Sequence, residues 1–551
     1  MMKMQKPGRM VALLLSLLMT GMVLAGCSGN GAGGTTSIDP EEPVSTDPIT
    51  FDLLMASWPL WDEPMTADPL GQWLIEQTNV TINVELITGD IVEKCALLLA
   101  TQDYPDLMVW PGDSIAGQFI EQNVFVPLDE HFDDIPNVVS RFGSDIGALY
   151  DVNTQHMYRI PQWSTGNVIQ IDTGISVRHD IMKEYFGDRA TEESVITLEE
   201  LENFYLEYKK DHPKNASGTN VYPFTAMAPA DLVYKMCQVY GIPGYYETGK
   251  DSVGLYLVHE KMPDLLATLN RWYNKGILDP EFAINKLENV TNKLATHSAI
   301  STMVQESGLV EANNSLQNQD PESYMFSYYK VAETPGEEAY VTYSTVGSGG
   351  LCLTTSCEDP RRALAWMNFM NDPEVMFYLC NGLPGTFWDY DEAGKVAPKL
   401  DAVSEIADLW QRFRKVGGYK YQWMLNEGPD SRFEAYDGSF YQIIHGEGGE
   451  AYIPSNKGRK TFWTAEKDTL INPALFQGIE PDSNSDEGIM MSEVYSYWES
   501  AVPKIIMAKN EAEARKMYDD VKKQMLDAGL EECMEKVAPR YFAKKEIMAK
   551  D

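Results

Sequence analysis

A chain of 551 residues is long enough for two or three ordinary domains rather than one. With 44 Lys and Arg against 82 Asp and Glu its formal charge is −38, a field that repels phosphate backbones and anionic headgroups and so excludes nucleic-acid binding. Hydrophobic residues at 44% and charged ones at 23% exclude a largely disordered chain, and the 12 Trp and 29 Tyr supply ring faces that fill cores and also stack on sugars.

Lys3, Lys6 and Arg9 form a positive leader, and residues 10–23 are an uncharged apolar run. That run is too short for a permanent membrane span and has signal-peptide dimensions. It ends in Leu24-Ala25-Gly26-Cys27, which resembles the lipobox of bacterial lipoproteins and implies lipidation of Cys27 as the new N-terminus. Residues 27–48, rich in Gly, Ser, Thr, Pro and acid, read as a flexible tether. The expected address is the outer face of the cytoplasmic membrane. The other six cysteines show no CxxC and no metal spacing with His, and Cys95 and Cys380 read as small core residues.

From Thr50 the pattern alternates. Residues 51–55 predict a strand, and 68–77 a helix with Asp68 as cap and Pro69 first inside. Residues 81–87 predict a second strand, 90–102 a helix and 107–110 a third strand. Strand–helix–strand–helix–strand means parallel pairing, with ligands expected at the carboxyl ends of the strands. Trp58, Trp61, Trp110 and Asp113 fall just beyond predicted strand ends. In a second unit, Thr197 and Glu200 form a capping box for a helix stopped by Pro213. Asp359-Pro360 opens a helix to about Met370, and Asp372-Pro373 another to about Gly382. Asn510 caps a long amphipathic helix with Met517, Val521 and Met525 on its buried stripe and Gly529 at its end.

Several segments then resemble the extracellular solute-binding proteins of ABC importers, of the large Gram-positive lipoprotein type associated with saccharides. Tyr104-Pro105-Asp106-Leu107-Met108 is similar to the family's "PD" strand, and Phe125-Val126-Pro127-Leu128-Asp129 with Ile135-Pro136-Asn137 to its "PLD…PN" segment. Met157-Tyr158-Arg159-Ile160-Pro161 resembles the "YGIP" strand, and Ser176-Val177-Arg178-His179-Asp180 the "YRKDW" motif. Gly276-Ile277-Leu278-Asp279-Pro280 is similar to "GLIDP", and Glu358-Asp359-Pro360 running to Phe369 to the "PEAALRWLNF" helix. Six weak motifs in the right order behind a lipobox make a strong resemblance.

The resemblance implies an α/β, two-lobed, periplasmic-binding-protein type II-like fold with a hinge and an interlobe cleft. Chain order places lobe one at 49–164, lobe two at 165–344, a return to lobe one at 345–390 through Gly347, Gly349 and Gly350, and the rest of lobe two at 391–551. Some relatives carry an acidic calcium loop before a "YP". Here residues 211–223 hold Asp211 as the only carboxylate and Lys214 inside the loop, a poor set for a hard divalent cation, so no metal is expected. Residues 482–493 mimic an EF-hand loop, but the sixth position is Glu487 where the turn needs Gly, and an ordinary acidic loop is the expected outcome.

A sugar guest offers hydroxyls and C–H faces, so its site needs rings for stacking and carboxylates or amides for hydrogen bonds. The candidates are Trp58, Trp61, Trp110, Asp113 and Trp163 from the first half, with Glu306, Trp388, Trp423 and Tyr436 further on. Arg178 and Asp180 read as structural partners, and His179 as a non-catalytic histidine. No HExxH, GxSxG or Walker loop is present, and no catalytic residue or cofactor is expected. The expectation is a monomeric ABC-importer lipoprotein that hands a neutral oligosaccharide to a membrane permease. A surface glycanase, which needs only two carboxylates, and a peptide-binding lipoprotein are the alternatives.

Overall fold

The computed structural model describes residues 38, 43–56, 63–161, 170–171, 174–191, 194–328, 331–333, 341–344, 346, 349–386, 388–390, 392, 396–399, 421 and 470–549. Every element below lies within one compact unit, Pro40–Asp551.

Strands β1 (Ile49–Ala56) and β2 (Val80–Ile87) run parallel from Ile49 opposite Val80 to Ala56 opposite Ile87. Between them lies α1 (Pro69–Thr78), which starts where expected because the Asp68 carboxylate accepts from the Gly71 amide at 2.7 Å. Asp90 caps α2 (Ile91–Thr101) in the same way through Val92. Strand β3 (Leu107–Val109) then adds parallel to β1, and α3 (Asp113–Glu121) follows it. The predicted alternation therefore folds as a parallel sheet with crossover helices. Its core gathers Leu54, Cys95, Leu98, Met108, Phe119 and Phe125.

The chain leaves this lobe along β4 (Gln170–Ile171) and enters a second built on β5 (Ile175–Arg178). Helix α4 (Leu198–Asp211) opens on the Thr197–Glu200 capping box, and α5 (Pro229–Val239) and α6 (Met262–Asn274) follow. Strands β6 (Ser301–Thr302) and β7 (Met325–Tyr328) flank β5, both antiparallel. Strand β8 (Val341–Ser344) leads back and lies antiparallel to β4, as two opposite passages must. Strand β9 (Leu351–Leu353) then completes the first sheet, antiparallel to β3, in the order β9-β3-β1-β2. Helices α7 (Pro360–Met370) and α8 (Pro373–Asn381) carry their predicted Asp359 and Asp372 caps.

Strand β10 (Leu470–Ile471) joins β8 and β4 in a small sheet between the lobes. The last three helices, α9 (Asp486–Ile506), α10 (Glu511–Asp527) and α11 (Leu530–Met548), pack on α5, α6 and their neighbours, bringing Trp498, Tyr518 and Met525 into one core with Tyr205, Val233 and Trp272. They complete lobe two. The Tyr421 hydroxyl donates to the carboxylate of buried Asp68 at 2.7 Å.

Candidate functional site

A cavity of about 190 Å3 lies between lobe one, at the end of β3 and along α3, and residues 476–482 with α11 on the other side. Trp110 leaves β3 directly into this cavity. Its amide donates to the Gly350 carbonyl at 2.7 Å, and its indole stacks on Phe125 at 6.0 Å between centroids. The guanidinium of Arg159 lies 5.3 Å from the centre of the same ring. Arg159 is buried, donates through Nη1 to the Gly349 carbonyl, and through Nη2 to Gln477 Oε1 at 3.1 Å. Beside it Ile160 and Leu351 exchange backbone hydrogen bonds of 2.9 and 2.8 Å. This approach needs Gly350, since a Cβ there would sit 2.7 Å from the Ile160 carbonyl oxygen.

On the facing wall, buried Lys544 donates to the carbonyls of Ala148 and Tyr150, each at 2.7 Å. Arg540 donates to the Glu480 carbonyl. The Glu480 carboxylate accepts from the hydroxyls of Tyr245 and, at 2.7 Å, Tyr495. Burial, then the neighbouring Glu480 charge, pushes the Tyr495 hydroxyl far up, so it remains a donor. Asp482 reaches α3 so closely that a Cβ on Gly117 would stand 2.7 Å from its Oδ1. Among the described residues the lining holds three cations, Arg159, Arg540 and Lys544, and three acids, Asp151, Glu480 and Asp482.

Of the residues expected at a ligand, Trp110 lines this cavity. Asp113 is the first residue of α3 and Glu306 opens the short turn Glu306–Leu309, both with side chains outside the described residues. Trp388 is placed in the core instead of at the cavity. It is fully buried, packs edge-on to Phe377 at 4.9 Å, stacks on Tyr378 at 5.8 Å, and donates its Nε1–H to the Gly382 carbonyl, so no ring face is left free. Trp58, Trp61, Trp163, Trp423, Tyr436 and Cys27 lie outside the described residues. Arg159, Gln477, Asp482 and Lys544 were not singled out as site residues. Arg159 sits in the 157–161 motif, which offered a signal, while the other three are brought in by long-range packing alone.

Arg178 clamps Asp180 through two nitrogens and also reaches the Ser323 hydroxyl. Burial pushes the Asp180 carboxyl up, but the Arg178 bonds outweigh it and hold it below the usual range. His179 is buried against Tyr324 and Phe326, with Nδ1 3.0 Å from the Tyr328 hydroxyl, and burial lowers it to about 4. A histidine neutral at pH 7 inside an aromatic cluster is a packing group.

The loop 211–223 does not fit calcium. Asn215 Oδ1 already accepts from the Ser217 and Thr219 amides and the Ser217 hydroxyl, while its Nδ2 donates to the Thr296 carbonyl and the Ser298 hydroxyl. One amide side chain closes the loop. In the EF-hand-like stretch, Ser485 caps α9 through Gly488, so residues 486–493 are helical and cannot wrap a cation. Among the described residues no group of three His, Cys, Asp or Glu is arranged to hold a metal ion.

Two α/β lobes, joined through a small sheet and enclosing a polar and aromatic cavity, define a two-lobed solute-binding protein. Solved structures share this architecture. An extracellular solute-binding protein from Bifidobacterium longum subsp. infantis superposes with a TM-score of 0.66 at 14% identity, covering 90% of this chain and 98% of its own. An HMO-binding, ABC-transporter-associated solute-binding protein from Bifidobacterium longum infantis gives 0.65 at 13% identity, covering 91% and 99%. The S. pneumoniae ABC-transporter substrate-binding protein FusA, in complex with kestose, gives 0.59 at 15% identity, covering 91% and 100%. No curated protein matches the chain by sequence. The family model described as "Bacterial extracellular solute-binding protein" matches residues 74–386, and the chain belongs to that family.

Proposed function

We propose that this protein is the substrate-binding lipoprotein of an ABC importer. It captures a neutral oligosaccharide between its lobes and delivers it chemically unaltered to a membrane permease. Trp110, and with it Trp58, Trp61, Asp113, Trp163 and Glu306, would face the guest. Lobe boundaries fall near 164, 344 and 390. The lipid on Cys27 would hold the chain at the outer membrane face, consistent with the absence, among the described residues, of a helix long and apolar enough to cross a membrane.

The observation that carries this reading is the interlobe cavity beside Trp110, whose described lining holds as many cations as acids. Sugar hydroxyls both donate and accept, and match such a lining better than a polyanion would. The saccharide ligands named for the structural neighbours point the same way. Bound guest would favour the closed arrangement by its differential affinity for the two states.

A thermal-shift panel tests it: kestose, maltotetraose, milk oligosaccharides and a mannosyl-N-acetylglucosamine, with alginate oligosaccharides as the charged control and peptides as the rival class. The expected result is stabilisation by one neutral saccharide, with no shorter products on chromatography. Stabilisation by peptides alone, or release of cleaved glycan, would overturn the proposal.

A further inference from the structure

We propose that Arg159 is the positioning residue of the binding site: it holds the Trp110 indole at the cavity and couples that ring to lobe closure through Gln477. The inference rests on the oligosaccharide-binding reading above and adds a residue that sets how the guest is gripped.

Three parts of the chain meet at this one guanidinium. Gly349 is 190 residues away in sequence and Gln477 is 318. Trp110 comes from the end of β3. A guanidinium is planar and carries five donors, so it can lie against a ring while donating in its own plane to two acceptors. A lysine ammonium lacks that fork.

The three contacts belong to different bodies. The backbone of Arg159 is fixed to lobe one, since Ile160 pairs with Leu351 of β9. Gly349 precedes β9 in the segment returning from lobe two. Gln477 ends a short turn, Pro473–Phe476, whose Phe476 ring packs against Tyr245 and Tyr541 of the lobe-two core. The bond from Nη2 to Oε1 therefore spans the lobes, whereas the contact with Trp110 lies within lobe one. Separating the lobes breaks the first and frees the guanidinium to leave the ring, so ring placement and lobe separation change together.

The test is a double-mutant cycle with the purified, lipid-free chain, using as probe kestose or maltotetraose, whichever binds the wild type. Calorimetry gives Kd for wild type, Trp110→Ala, Arg159→Met and the double variant, and small-angle scattering gives the compaction on binding. Trp110→Ala is expected to weaken binding at least tenfold in the wild-type background and less than threefold beside Arg159→Met. Gln477→Ala should reduce the saccharide-induced compaction and weaken binding severalfold without lowering the melting temperature. Should Arg159→Met fail to fold, Arg159→Lys replaces it. Lysine is expected to restore the melting temperature and to leave affinity impaired.

Additive losses in the cycle, or a variant at Arg159 that melts earlier yet binds with unchanged Kd, would overturn this inference alone. A wild type that binds no saccharide of the panel would overturn the proposed function, and this inference with it.

Discussion

In the second lobe Arg271 and Lys275 converge on the Glu202 carboxylate at 3.0 and 2.6 Å, Lys293 bridges Asp279 and Glu281 at 2.6 Å each, and Arg178 clamps Asp180. At the interlobe cavity Arg159, Arg540 and Lys544 instead donate to backbone carbonyls and to the amide oxygen of Gln477. The contrast is one of purpose. A cation closed onto a carboxylate fixes one packing, and breaking the pair leaves a stranded charge. A cation donating to a carbonyl here shares the cavity lining with the acids Asp151, Glu480 and Asp482.

The sharpest way to break that contrast is at Glu202. Its carboxylate also accepts from Trp272 Nε1 at 3.1 Å, so Glu202→Leu strands an indole and takes the shared acid from Lys275 and from Arg271, which keeps Glu511 at 3.4 Å. Both cations are partly exposed, which softens the loss. The expected cost is about 3 kcal/mol by chemical denaturation, with the saccharide Kd of the folded chain unchanged. A tenfold change in Kd would mean that lobe-two ion pairs shape the site after all.

The pH dependence sharpens the same point. His179 titrates at about 4 in the folded chain, held down by burial and then by the Lys183 charge, against an ordinary value near 6.5. Between those values the unfolded chain binds the extra proton. The contribution of His179 is therefore whole above pH 6.5 and is lost as pH falls toward 4, by about 2 kcal/mol between pH 7 and 5. Denaturation curves of wild type against His179→Gln should differ in slope by that amount over the interval. Parallel curves would place the ring in water.

At the cavity the expected signature reverses. Trp110 is half-buried, and Trp110→Ala should cost ten- to thirtyfold in saccharide affinity, about 1.5–2 kcal/mol, read by calorimetry. An unchanged Kd would remove the ring from the site.

What could be read from the residues alone follows from how local each signal is. Asp68, Asp90, Asp359, Asp372 and Asn510 cap helices through amides two or three residues away, so their helices were foreseeable to within a residue or two. The parallel pairing of β1, β2 and β3 was likewise legible from alternating strand and helix patterns, though not that β1 lies between the other two. The antiparallel placement of β9, the Tyr421–Asp68 bond and the convergence of Gln477, Asp482 and Lys544 on one cavity depend on contacts hundreds of residues apart, which no local pattern encodes. The burial of Trp388 rests on packing of the same kind. A single tryptophan is more often a core residue than a ligand contact, and here the Phe377 and Tyr378 rings pack against it.

The smallest effect isolates a third use of polar side chains, neither ion pair nor ligand contact. Asn215 closes the loop 211–223 by accepting three hydrogen bonds and donating two. A cation could organise such a loop only by taking over the amide oxygen that Ser217 and Thr219 already use, and Asp211 is the loop's only carboxylate. The side chain is half-buried, so water replaces part of what Asn215→Ala removes, and the expected loss is about 1 kcal/mol. The decisive companion measurement is melting in chelator against millimolar calcium. A ligand that binds only the folded state must raise the melting temperature, so coincident transitions are expected for both wild type and variant. A calcium-dependent rise in the wild type would show that the loop recruits a cation despite its chemistry. A rise confined to Asn215→Ala would show that the amide had been holding the cation's place.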